Sequence, residues 1–133
     1  MIKVLIKTDT RYPVNRKVVR KAVLDTFSDF KIEDADVEVS VAIVGRRKMK
    51  ALSAEFLDDL KIHEVLSFAQ EEVFGSDSRG FVNPPDSILR LGDIVICWPK
   101  LLDLASRDET MVDDQLYFLS KHAAEHLMGK HHQ

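Results

Sequence analysis

Three histidines near the end of the chain have the spacing of a metal-binding site. His122 and His126 are four residues apart in a segment whose apolar pattern predicts a helix, so both imidazoles project from one helical face. Gly129 follows, and glycine commonly ends helices because it accepts a left-handed backbone. A turn at Gly129 would bring His132 back to the same ion. The pattern His-x3-His-x5-His therefore predicts two helical ligands, a glycine turn and a third ligand.

The chemistry that such a set of ligands would support is hydrolysis. Three imidazoles leave the fourth tetrahedral position of one zinc ion open for water, as in catalytic zinc sites. Zinc lowers the pKa of its bound water toward about 7, so it supplies hydroxide or a polarised electrophile at neutral pH. Nickel or another divalent metal is an alternative, because imidazole binds several of these ions.

The same histidines also fit other interpretations. A helical pair can be an ordinary surface feature, and His131 and His132 can be the remnant of an affinity tag. His131 has the wrong register for the same ion, which predicts a place beside the ligands rather than among them. Metzincin proteases share the spacing in H-E-x-x-H-x-x-G-x-x-H, but Ala123 follows His122 here. The general-base glutamate of those proteases is therefore missing.

Four strands are predicted from alternating or continuous apolar residues. They span residues 2–8, 37–43, 65–69 and 89–98. The last is the most apolar, which predicts a central place in a sheet, and Pro99 would close it. The stretch 75–87 is rich in glycine, serine and proline. It predicts a surface loop that joins the last two strands as a hairpin.

Helices are predicted between these strands and after them. They span 16–30, 48–59 and two C-terminal pieces broken near Asp108, of which the second spans 111–128. In the 48–59 helix, Met49, Leu52 and Phe56 should face inward. The order β-α-β-α-β-β-α predicts an α+β fold, with a small mixed four-stranded sheet flanked by helices and the histidine pair on the C-terminal helix.

Length and composition narrow the class of protein. A chain of 133 residues that is 45% apolar predicts one domain, residues 1–133, with a packed core rather than a disordered chain. The longest apolar runs are too short to span a membrane, and the N-terminus does not read as a secretory signal. Cys97 is the single cysteine, which fits a reducing, cytoplasmic location.

Three segments of the chain carry a family resemblance. The run HAAEHLMGKHH at 122–132 resembles the signature H-G-x-L-H-L-x-G-Y-D-H. The run HEVLSFA at 63–69 resembles T-D-V-L-S-F-P, and LGDI at 91–94 repeats the motif L-G-D-I. In this order they resemble the YbeY family of bacterial zinc-dependent endoribonucleases and rRNA maturation factors. An arginine usual in that family falls on Leu57, and no acidic helix follows the last motif. The chain therefore resembles a divergent, C-terminally short member.

The resemblance implies a metal-dependent endoribonuclease that acts in rRNA maturation and ribosome quality control. One zinc ion would be held by His122, His126 and His132, with His122 also catalytic. Ser67 and His131 would lie just outside these ligands. The implied partners are RNA and the small ribosomal subunit, with no membrane and no DNA.

The charge distribution fits an RNA partner. Residues 1–50 carry 12 Lys and Arg against 7 Asp and Glu, whereas residues 51–133 carry 7 against 15. Such a split indicates a basic face for an anionic ligand, although solvated helix faces are the simpler interpretation. The candidate RNA-binding residues are Arg16, Arg20, Arg46, Arg47 and Lys48.

Two alternative functions stay open. One is a ribosome-associated, rRNA-binding factor that keeps the fold and the metal site but has lost cleavage. Leu57 favours it, and the complete set of three histidines opposes it. The other is a small metal-dependent hydrolase that acts on a different substrate.

Overall fold

Four strands and four helices make up the described part of the chain. The computed structural model describes residues 1–9, 11–32, 36–70 and 88–131. The strands are β1 (Ile2–Thr8), β2 (Val37–Val44), β3 (Val65–Ala69) and β4 (Leu89–Cys97). The helices are α1 (Arg16–Asp29), α2 (Arg46–Leu57), α3 (Trp98–Asp108) and α4 (Val112–His131).

The sheet is mixed and has the order β1-β2-β4-β3. β1 pairs with β2 and β2 with β4 in parallel, whereas β3 runs antiparallel to β4. The predicted α+β class and the predicted pairing of the last two strands are confirmed. The predicted loop at 75–87 lies outside the described residues. In this strand order β3 forms one edge of the sheet, and β4 lies in its interior as predicted.

Helices α1 and α4 cover one face of this sheet. β2 alternates strictly between buried and half-buried residues, and its buried valines face these two helices. Each helix offers an apolar stripe, because residues three or four apart lie on one side. Side-chain hydrogen bonds among the described residues join the helices: Asn15 to Asp113, Tyr117 to Asp25 and Lys121 to Asp29. These contacts and the shared core set the position of α4 on the sheet.

Helix α2 covers only part of the opposite face, and here the sequence prediction was partly wrong. The helix begins at Arg46 and ends at Leu57, two residues earlier than predicted at each end. Met49 is buried and Leu52 half-buried, but Phe56 is 47% exposed. The reason is that Phe56 lies at the rim, where its ring packs on Phe68 at a centroid distance of 5.0 Å.

Two predicted element ends were also wrong. β4 ends at Cys97, and Trp98 begins α3, because Pro99 is tolerated in the first turn of a helix. Helix α4 continues past Gly129 to His131. A glycine turn is usually stabilised by an apolar contact from the residue that follows, and Lys130 is a poor candidate for that contact. Glycine permits a turn but does not impose one.

Candidate metal centre and histidine cleft

His122 and His126 lie side by side on the exposed surface of α4. Their Nε2 atoms are 3.2 Å apart, and the ring centroids are 4.7 Å apart with the planes at 70°. The helix brings the two rings together because four residues turn it by slightly more than one full revolution. The predicted pairing of the two imidazoles on one face is thus present.

The distance between the two Nε2 atoms fits a shared metal ion. Zinc binds imidazole nitrogen at about 2.0–2.1 Å with tetrahedral angles, which places two ligand nitrogens about 3.3 Å apart. The observed 3.2 Å is close to that separation. Within the described residues, no group of three or more potential ligands is already assembled. His132 lies outside the described residues, so its part in the set stays a prediction.

The histidine pair opens onto a cleft between α4 and the edge strand β3. We call this space the histidine cleft. Its volume is about 470 Å³. From β3 and the residue before it come Glu64, Val65, Leu66 and Ser67, and from α4 come Phe118, Leu119, His122, Ala123 and His126. Ser67 thus lies in the same cleft as the histidines, as the family resemblance implies.

Alternation along β3 explains which of its side chains face the histidines. Val65 packs with the core under α4, whereas Leu66 and Phe68 pack with the cluster under α2. Ser67 follows the register of Val65, so it faces α4. The backbone of β3 is held in turn by β4 and by a hydrogen bond from Cys97 N–H to the carbonyl of Glu64 at 3.0 Å.

Gly92 allows β3, β4 and α4 to approach closely. It lies at a bulge in β4, with a φ of +153° that L side chains rarely adopt. A Cβ at this position would overlap the carbonyl oxygen of Phe68 and lie 3.0 Å from Leu127 Cδ2. This gives a physical reason for the glycine of the LGDI run: it seats β3 and α4, the two walls of the histidine cleft.

The predicted RNA-binding residues lie elsewhere on the surface. Arg47 and Lys48 line a separate cavity of about 570 Å³ beside Arg11 and Tyr12, which we call the basic pocket. Arg46 is ion-paired to Asp103 at 2.8 Å. The described residues that line the histidine cleft include no lysine or arginine. The candidate RNA-binding residues are therefore not among the described residues that line the histidine cleft.

Two further candidates from the α1 region, Arg16 and Arg20, are not among the described residues that line the cleft. The guanidinium of Arg16 donates to the carbonyl of Ile6 at 3.0 Å, and Arg20 is exposed on α1. Asn15, at the start of α1, contacts Asp113, near the start of α4. Arg16 is thus close to the end of α4 opposite to His126.

Three other residues from the sequence analysis can be placed. Leu57 ends α2 and is 44% exposed, outside the described lining of the histidine cleft. Cys97 is fully buried, and burial raises the pKa of its thiol, which agrees with a core role rather than a ligand role. His131 is the last residue of α4.

One residue of the cleft was missed by the sequence analysis. Phe118 lies one turn before His122 on the same exposed face, and its side chain is 60% exposed. The available signal was its spacing, since an aromatic residue four positions before a ligand shares the ligand's helical face.

The fold is one that a solved structure shares. The solution structure of the protein TM1509 from Thermotoga maritima matches with a TM-score of 0.55 and 20% identity, over 96% of this chain and 71% of that chain. At this identity the likeness concerns the fold. The described part of the chain has no helix with the length and apolar character needed to cross a membrane.

The family follows from the sequence comparisons. Residues 6–133 match the family described as endoribonuclease YbeY, and the chain belongs to that family. The endoribonuclease YbeY of Roseiflexus castenholzii is 30% identical over 120 residues, or 90% of this chain and 72% of that protein. That of Macrococcus caseolyticus is 32% identical over 99 residues, or 74% and 61%. That of a Dehalococcoides mccartyi strain is 26% identical over 136 residues, or 98% and 83%. This membership supports an RNA-cleaving hydrolase.

Proposed function

We propose that this protein is a metal-dependent endoribonuclease that cleaves single-stranded RNA in rRNA maturation and ribosome quality control. The observation that supports it most is the pair of histidine nitrogens 3.2 Å apart in an open cleft of a YbeY-family chain. Such a separation is suited to one metal ion, and the cleft leaves room beside it for a ligand. We further propose that it acts in the cytoplasm on rRNA of the small ribosomal subunit.

The residues proposed to hold the ion are His122, His126 and His132, with zinc as the first choice and nickel or another divalent metal as the alternative. When bound, such an ion polarises a phosphoryl oxygen or activates water. His122 is proposed to act in catalysis as the ligand at the centre of the cleft, between Phe118 and His126. His131 is proposed to lie beside the ligands without binding the ion.

The other polar groups of the cleft suit work on a phosphodiester. The Ser67 hydroxyl is available to donate to a phosphate oxygen or to a ligand imidazole. The carboxylate of Glu64 is half-buried on the same wall, where it suits the acceptance of a proton. Ser67 is carried by the edge strand β3, and Glu64 directly precedes that strand, where its carbonyl accepts from Cys97 N–H at 3.0 Å.

Binding of the RNA backbone is assigned to basic residues outside the cleft. Arg47 and Lys48 line the basic pocket, where the acid Asp9 is ion-paired to Arg11 at 2.7 Å and the first turn of α2 carries no acid. Arg16, Arg20 and Arg46 are proposed to extend this surface. Contacts of this kind are directed to phosphates, so they are independent of base sequence and sensitive to salt.

A cleavage assay on a labelled single-stranded fragment of rRNA tests the proposal. Chelator-treated protein should be inactive, added zinc should restore cleavage, and His126→Ala should stay inactive at the same zinc concentration. His63→Ala is the matched control, since His63 pairs with Asp59 at 3.2 Å and does not line the histidine cleft. Undiminished cleavage by the metal-free protein or by His126→Ala would refute the proposed chemistry.

A non-catalytic, rRNA-binding factor is the second candidate. It is favoured by Leu57 and by the lack of a lysine or arginine among the described residues of the cleft. Such a factor would bind rRNA and zinc without cleaving the RNA. Binding with no product under zinc saturation would select this candidate over the endoribonuclease.

A further inference from the structure

An exposed aromatic residue continues the line of histidines along α4. Phe118, His122 and His126 are spaced by four residues, and all three are exposed on the side of the helix that borders the cleft. The neighbours Leu119, Ala123 and Leu127 are buried and fasten the helix to the sheet. Phe118 is thus not needed to anchor α4, and most of its ring faces solvent.

The ring of Phe118 is aligned with that of the first histidine. The planes of Phe118 and His122 differ by 11°, with the centroids 6.1 Å apart, which is within the range of offset-stacked rings. The ring of His126 is turned by 70° from that of His122. Phe118 and His122 therefore present two nearly parallel planes beside the cleft.

The ligand that suits this surface has a flat apolar part and an anionic part. Phe118 offers a flat apolar face, whereas the opposite wall of the cleft carries Ser67 and the backbone of an edge strand. Four residues of helix rise by about 6 Å. That is the reach from a nucleobase to a phosphate of its own nucleotide. A nucleotide would therefore place its base on Phe118 and its phosphate at the histidines.

We infer that Phe118 is a substrate-binding residue that stacks the base of the nucleotide next to the cleaved phosphodiester. The inference rests on the proposed function and adds a specificity to it. A purine covers more of the phenyl ring than a pyrimidine, so a purine is favoured at this position. Pyrimidines are accepted there too, but more weakly, because every base has a flat π-face.

The experiment uses single-stranded RNA that carries 2-aminopurine at one position, mixed with zinc-free protein so that binding is measured without turnover. Stacking on Phe118 should quench the fluorescence of 2-aminopurine. Phe118→Leu should remove most of the quenching and weaken binding by about 5- to 150-fold, the range for stacking of one base. Phe118→Tyr should keep both the quenching and the affinity for RNA. Phe56→Leu is the matched control, an exposed phenylalanine outside the cleft.

A second arm separates stacking from a structural effect. RNA with an abasic site at the quenched position should bind wild type and Phe118→Leu equally. With zinc restored, Phe118→Leu should raise KM for the intact RNA and leave kcat nearly unchanged, because stacking stabilises the bound substrate and the transition state alike.

The outcomes distinguish the two proposals. Unchanged affinity and quenching in Phe118→Leu would overturn the stacking role, even if wild type cleaves RNA. Quenching by wild type that depends on Phe118, without cleavage at any zinc concentration, would support the stacking role and contradict the endoribonuclease. Failure of wild type to bind single-stranded RNA would overturn both.

Discussion

Replacement of Gly129 by alanine tests how the C-terminal helix ends. The structure places Gly129 inside α4, two residues before its last residue and in right-handed backbone. Apart from the adjoining residues and the nearby backbone of α4, no atom of the described residues lies within 4 Å of an added Cβ. A glycine inside a helix costs roughly 0.5–1 kcal/mol relative to alanine, chiefly through the flexibility of the unfolded chain. Gly129→Ala should therefore raise the free energy of unfolding.

The expected gain lies at the lower end of that range, because helix ends fray. Half a kcal/mol or slightly more corresponds to a rise in Tm of roughly 2 °C for a chain of this size. Urea denaturation followed by circular dichroism measures the free energy, and a thermal melt measures Tm. Zinc affinity, measured by calorimetry on the same samples, should not fall.

A lower free energy of unfolding in Gly129→Ala would refute this reasoning. If Gly129 were the left-handed turn that the sequence pattern indicates, alanine would destabilise the protein by about 1 kcal/mol and weaken zinc binding by misplacing His132. Gly92→Ala is the matched control. Its φ of +153° and the overlap with the Phe68 carbonyl predict a loss of stability, of which roughly 1–3 kcal/mol is backbone strain alone.

Three other variants test separate parts of the structure. Leu127→Ala should lower the free energy of unfolding by about 2–5 kcal/mol, since Leu127 is fully buried on the inner side of α4. Chemical denaturation measures this free energy. Burial, together with the charge of Glu38, raises the pKa of Asp93 above its usual value. The folded protein therefore binds the Asp93 proton more tightly than the unfolded chain does. The free energy of unfolding falls as pH rises from the ordinary pKa of aspartate through the raised pKa of Asp93. Asp93→Asn should stabilise the protein at pH 7 and have little effect below about pH 4 in parallel melts. Arg47→Gln with Lys48→Gln should reduce the slope of log Kd against log salt by about 1.4 for single-stranded RNA, and an unchanged slope would exclude both residues from the phosphate contacts.

Much of the fold follows from local pattern. The alternation of valines at 37–43 predicts β2, and the longest apolar run predicts the interior strand β4, because burial of an alternating or continuous apolar face leaves few other arrangements. The ends of elements are harder to predict. Pro99 and Gly129 each tolerate two backbone arrangements, so the contacts around them decide which is adopted.

In the candidate site, too, some features follow from the local sequence and others depend on the tertiary structure. The helical spacing of His122 and His126 predicts their approach, since helix geometry alone brings the rings together. The wall formed by Ser67 depends on the pairing of β3 with β4, which composition does not reveal and only the family resemblance suggested. The separation of Arg47 and Lys48 from the cleft is likewise a tertiary feature, because their distance from the histidines is set by the order of the strands.

The central claim is that one metal ion at the histidine pair supports RNA cleavage. Its most direct test is the initial rate of cleavage of a single-stranded rRNA fragment as zinc is added to metal-free protein. The rate should rise linearly and level off at one zinc per chain, and His126→Ala should show no rise over the same range. Cleavage before zinc is added, or an identical curve for His126→Ala, would contradict the claim.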